Sequence, residues 1–113
     1  MNNTFSIDQV SQAVSGAQPA IERICAEVWE LAETSLCEVE SAKVHMRELA
    51  AAGFAIISTG TSGVPTAFVA EWKWGEGGAT IGFLLEYDAL PGLGNAAVPR
   101  QQPRADGKTS GHG

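Results

Sequence analysis

The sequence predicts an α/β chain: two amphipathic helices, then three strands, then a long loop. Three observations predict it. Apolar residues recur at three- and four-residue spacings up to about residue 52, the period of a helix with one buried stripe. From Phe54 the pattern shortens to strand-like runs broken by Gly and Pro. From Leu90 onward Pro91, Gly92, Gly94, Pro99, Pro103, Gly107 and Gly111 interrupt every regular pattern.

Ser6-Ile7-Asp8-Gln9 has the form of a capping box, which starts a helix by satisfying two of its free N–H groups reciprocally. A short helix through Val10 and Val14 is expected, interrupted at Gly16 and Pro19. Ile21, Ile24, Cys25, Val28, Leu31 and Ala32 then form one stripe of a helix ending near Thr34, with Glu22, Glu27 and Glu30 largely on its solvated side. Ser35-Leu36-Cys37-Glu38 reads as a second capping box, and Val39, Ala42, Met46, Leu49 and Ala50 as the next stripe. Gly53 is placed just past that helix, where the chain turns left-handed. His45 lies beside the stripe with no second ligand at a metal-binding spacing, the mark of a boundary residue.

Residues 54–59 and 67–72 read as two strands, joined by a turn over Gly60–Pro65. The glycines of KWGEGGAT, residues 73–80, suit a hairpin connection. A phosphate cradle would need a helix after it, and another strand follows. That third strand, residues 80–87, is apolar on both faces, the pattern of a central strand covered on two sides. The division expected is residues 1–91 as an α/β body and residues 92–113 as a structureless loop, disordered in the isolated chain.

The 113 residues carry a net charge of −6. Residues 92–113 hold Arg100, Arg104 and Lys108 against Asp106, so residues 1–91 carry −8. Such a chain is a poor partner for nucleic acid or an anionic membrane surface. No apolar run approaches the ~20 residues that span a bilayer, and no basic, apolar leader opens the chain. Cys25 and Cys37, without CxxC spacing, read as two buried reduced thiols in a cytoplasmic protein.

The stretch LLEYDALPG, residues 84–92, drives an apolar strand into two carboxylates, Glu86 and Asp88. Ligand sites in α/β sheets lie beyond the carboxyl ends of strands. Two residues apart, both acids could face one side, and such a pair is costly to bury without a cation or strong donors. The plain alternative is that Asp88 caps the turn at Ala89-Leu90-Pro91. Spacing alone leaves both open.

GVPTAFVAEW, IGFLLEYDALPGL and the closing GHG resemble the zinc-dependent amidohydrolases of the aminoacylase/carboxypeptidase superfamily, in the branch of aminobenzoyl-glutamate hydrolase and the indoleacetyl-amino-acid hydrolases. The resemblance runs from VWELAET, residues 28–34, to Gly113. It implies a two-domain homodimeric enzyme that hydrolyses N-acyl or aminobenzoyl amino acids with two zinc or manganese ions and a Glu general base. It also implies that residues 1–91 are a partial catalytic α/β domain, the N-terminal part of a mixed-sheet, metallopeptidase-like catalytic domain, with residues 92–113 the loop leading toward the metal-ligand motif. It implies that Asp88 orients the metal site. Glu86 stands where other branches place a metal-binding His and receives no ligand role. In the family, Gly-His-Gly leads into Cys-Gly-His, whose Cys and His are ligands, so His112 matches the residue before that pair. The expectation is an N-terminal portion of a hydrolase that lacks ligands and base, binds no metal itself and is inactive and aggregation-prone alone. Leu31-Ala32-Glu33 departs from the His-Pro-Glu expected there. The alternative is a non-catalytic α/β interaction module.

Overall fold

A computed structural model describes residues 6–112. Residues 1–5, where a leader would open the chain, and the terminal Gly113 of the GHG motif lie outside the described residues. The architecture is mixed α/β: two helices followed by a two-stranded antiparallel sheet.

Helix α1 spans Ile7–Leu31. The first capping box forms as expected: the Ser6 N–H donates to Gln9 Oε1 at 2.8 Å, and the Gln9 N–H donates to Ser6 Oγ at 3.2 Å. The expected break does not occur, and Pro19 sits inside the helix. Proline removes one backbone hydrogen bond and crowds the preceding turn. Residues 6–19 are exposed all round, so water can take up the carbonyl left free there. The helix ends at Ala32 in the left-handed region, with φ 49° and ψ 40°.

Helix α2 spans Val39–Ala51. Its cap comes from a different residue than expected. Glu38 occupies the N-cap without a side-chain cap, and Ser35 makes none. The carboxylate of Glu33 instead accepts from the N–H groups of Glu40 at 3.1 Å and Ser41 at 2.7 Å. The left-handed Leu36, at φ 67°, turns the connection so that Glu33 can reach the helix start. The buried side of α2 is also rotated relative to the expected stripe. Ser41, Ala42 and Val44 are buried, while Val39 is half exposed. The C-terminus closes as Gly53 requires. With φ 92°, Gly53 donates to Ala50 O at 3.0 Å and Phe54 donates to Leu49 O at 3.0 Å, the double bond pattern of a Schellman end.

Strands β1 (Ala55–Thr59) and β2 (Phe68–Glu71) pair antiparallel, with an irregularity between Ile56 and Ser58. The turn between them holds a short 3-10 segment at Thr61–Gly63. Both strands pack against α2.

The expected third strand over residues 80–87 is absent, so the sheet of the described residues has two strands rather than three. Ile81 is 76% exposed, Phe83 84% and Leu84 95%. A strand apolar on both faces needs a neighbour and a cover on each side. The described residues bury five apolar side chains, Val28, Ala32, Ala42, Val44 and Ala89, and none of them belongs to this segment. Cys25 and Cys37 are likewise exposed, not buried. Cys25 lies on α1, and Cys37 in the connection between the helices.

Residues 92–112 form a loop with little regular structure, tied to the body by backbone bonds. Leu90 and Gly111 form an antiparallel bridge, and the Gly94 N–H donates to Thr109 O at 2.8 Å.

Candidate functional site

The candidate site is the place where residues 87–90 cross the end of α1. Segment 79–86 arrives unpaired and exposed, and the chain is caught only at Tyr87. The Tyr87 hydroxyl donates to the Thr66 carbonyl at 2.6 Å. Its ring lies 4.8 Å from the His45 ring and 6.3 Å from that of Phe68. The Thr66 hydroxyl in turn donates to the buried carboxylate of Glu38 at 2.7 Å. Burial, with the negative charges of Glu38 and Glu33 behind it, raises the Tyr87 hydroxyl above its ordinary value. Burial also lowers His45 below its ordinary value, and the ring's Nε2 is buried without a hydrogen-bond partner among the described residues. His45 is thus the boundary residue expected, packed against an aromatic ring.

After Tyr87 the backbone is held from both sides. The Ala89 N–H donates to the Glu33 carbonyl at 2.7 Å, and Thr34 and Ala89 form a parallel bridge. Leu90 and Gly111 exchange both backbone bonds, at 2.9 and 3.1 Å. Ala89 is 1% exposed. Asp88, immediately before it, is half-buried, while Glu86 is exposed. The two acids therefore do not form the buried same-side pair that a continuous strand would have made. The turn after Asp88 is closed by backbone alone, Leu93 N–H to Leu90 O at 3.4 Å.

Glu33 does two jobs at this crossing. Its carbonyl holds Ala89, and its carboxylate caps α2. Burial works against the charge on Glu33, but the N–H groups of Ser41 and Glu40 outweigh it and leave the carboxyl below its ordinary range.

The far side of the crossing is built by the tail. Helix α1 has no basic residue in its last turn. Its final carbonyls are met by side chains from the loop: Arg104 on Trp29 and Glu30, Lys108 on Glu30, Ser110 on Ala32 at 2.6 Å, and His112 Nε2 on Val28 at 3.2 Å. Cations at this end also face the negative pole of the helix dipole. Arg104 further holds Asp106, whose carboxyl is lowered to about 2 by that guanidinium first and by the Lys108 N–H second. Sequence reasoning missed Glu33 and Arg104. The available signal was a helix end without a cation of its own, followed by a basic loop.

Chemically, the crossing holds two half-buried carboxylates: Glu33, engaged in capping α2, and Asp88, on a fixed backbone. Among the described residues no three His, Cys, Asp or Glu side chains converge as a metal would require. Zinc or manganese therefore does not fit the residues described.

No family model matches the chain, and no solved structure does. The chain is 31% identical over 104 residues to one subunit of the p-aminobenzoyl-glutamate hydrolase of Escherichia coli (strain K12), an alignment covering 92% of this chain and 21% of that protein. The chain thus spans about a fifth of the length of the relative it matches. That likeness supports an amidohydrolase-like relationship for this chain.

Proposed function

We propose that the chain is the N-terminal portion of a metal-dependent amidohydrolase that cleaves the amide bond of N-acyl or aminobenzoyl amino acids. The observation that carries this reading is the position of Asp88. It is half-buried, and the backbone just after it is pinned to Glu33 and Thr34, past the end of α1, on one side and to Gly111 on the other, within a likeness that covers 92% of the chain. A carboxylate so placed orients neighbouring groups rather than supplying a whole site. The ligands and the general base belong to sequence outside the described residues, so the 113 residues alone are expected to turn over no substrate. The full enzyme is a homodimer using zinc or manganese. Two exposed free cysteines suit a reducing compartment, hence a cytoplasmic protein; no described helix is long and apolar enough to cross a membrane.

One observation favours the second reading, a non-catalytic interaction module. Ile81, Phe83, Leu84 and Leu85 form an exposed, unpaired apolar segment of the kind that adds to another chain's sheet.

The test is a chimera in which residues 1–112 replace the matching segment of the E. coli relative, assayed on p-aminobenzoyl-glutamate with zinc and with manganese. The hydrolase reading expects metal-dependent turnover by the chimera and none by residues 1–113 alone. A folded, inert chimera overturns it and leaves the interaction module.

A further inference from the structure

The tail is fastened to α1 at one residue above all. Arg104 lies in a loop rich in Pro and Gly, yet its side chain is 4% exposed. Its guanidinium stacks over the Trp29 ring, 4.2 Å from the centroid. The same group donates to the Trp29 and Glu30 carbonyls at 3.3 Å each, to the Glu30 carboxylate at 3.0 Å, and to Asp106 at 2.7 Å. A planar fork can meet a ring face, two helix-end carbonyls and two carboxylates at once, which a lysine cannot. Asp106 then turns the chain by accepting from the Lys108 N–H at 3.1 Å.

The consequence lies further along. Leu90 and Gly111 pair antiparallel, so the chain that leaves Gly111 runs back alongside Ala89 toward Asp88. Gly111 can hold this register only because it lacks a side chain: a Cβ there would collide with the backbone of Leu93. The path into the Asp88 crossing thus depends on where residues 104–110 are anchored.

We propose that Arg104 is a positioning residue: by clasping the C-terminal end of α1 it fixes residues 106–112 and with them the pairing of Gly111 with Leu90 beside Asp88. The clasp stands on the structure alone. Its catalytic consequence rests on the hydrolase reading above.

Amide hydrogen exchange of residues 1–113 tests the clasp with Arg104→Gln and Arg104→Lys. The expected result for Arg104→Gln is at least about tenfold faster exchange across residues 106–112 and at Ala89 and Leu90, with α2 and the β1–β2 hairpin unchanged; Arg104→Lys retains part of the protection. Unchanged exchange at the tail overturns the proposal, and so does an equal loss across α2 and the hairpin, which would make Arg104 a general stability residue. In the chimera, Arg104→Gln is expected to lower kcat about 10- to 100-fold with KM little changed, the range seen when a positioning group behind a site is removed. An active chimera indifferent to Arg104→Gln overturns the catalytic consequence and leaves the hydrolase reading standing. An inert chimera removes that reading, and the exchange data then decide the clasp alone.

Discussion

Replacing Glu33 by Gln tests the least expected feature of the fold, the capping of α2 by a residue that precedes its connection. The carboxylate accepts two N–H groups at the positive end of α2, at 3.1 and 2.7 Å. Losing a side-chain cap costs about 0.5–2 kcal/mol, and losing a negative charge at a helix N-terminus about 0.3–1 kcal/mol. Gln keeps one acceptor, so the expected loss at pH 7 is about 1–2 kcal/mol, or roughly 5–10 °C in Tm for a domain of this size. The sign of the pH dependence follows from the lowered carboxyl of Glu33. Its contribution is fully present above the unfolded carboxylate value of about 4.3 and is lost as pH falls through the lower folded value. Thermal unfolding by circular dichroism at pH 7 and at pH 2.5–3 measures both. Glu33→Gln should separate clearly from wild type at neutral pH and converge with it in acid. Ser35→Ala, which removes the cap that local sequence suggests, should stay within about 0.5 kcal/mol at either pH. A larger loss from Ser35→Ala than from Glu33→Gln, or a Glu33→Gln deficit that does not change with pH, would refute the reasoning.

Burial keeps His45 neutral, so its contribution is complete above the unfolded value of about 6.5 and is lost as pH falls through it toward the lowered folded value; His45→Gln should therefore flatten the stability profile between pH 7 and 5, followed by urea unfolding. Gly111→Ala places a Cβ against the Leu93 backbone, and should cost about 1–3 kcal/mol, as overpacking does, with faster exchange concentrated at residues 89–94 and 108–112.

The features legible in the sequence were those decided within a few residues of chain. The Ser6–Gln9 box, the Gly53 helix end and the hairpin of residues 55–71 depend on local hydrogen bonds and backbone angles, and each formed as read. Features decided at long range were not legible. The pattern of residues 80–87 fits a central strand, but a central strand exists only if other strands and a cover are there, and the described residues offer neither. Ser35 lost its cap to Glu33 because a carboxylate satisfies two N–H groups where a hydroxyl satisfies one. Pro19 did not break α1 because that stretch lies exposed to water. The backbone crossing beside Asp88 joins Glu33, Ala89, Leu90 and Gly111, and no local pattern announces such a meeting.

The most direct measurement of the central claim is the steady-state kinetics of the hydrolase chimera carrying Asp88→Asn beside the same chimera carrying Glu86→Gln. Asp88 sits half-buried on the pinned backbone, whereas Glu86 is exposed on the unpaired segment. The account predicts that Asp88→Asn lowers kcat about 10- to 100-fold with metal affinity falling alongside, while Glu86→Gln leaves both within about twofold of the parent. Equal activity of Asp88→Asn and the parent chimera, or a larger loss from Glu86→Gln, would contradict it.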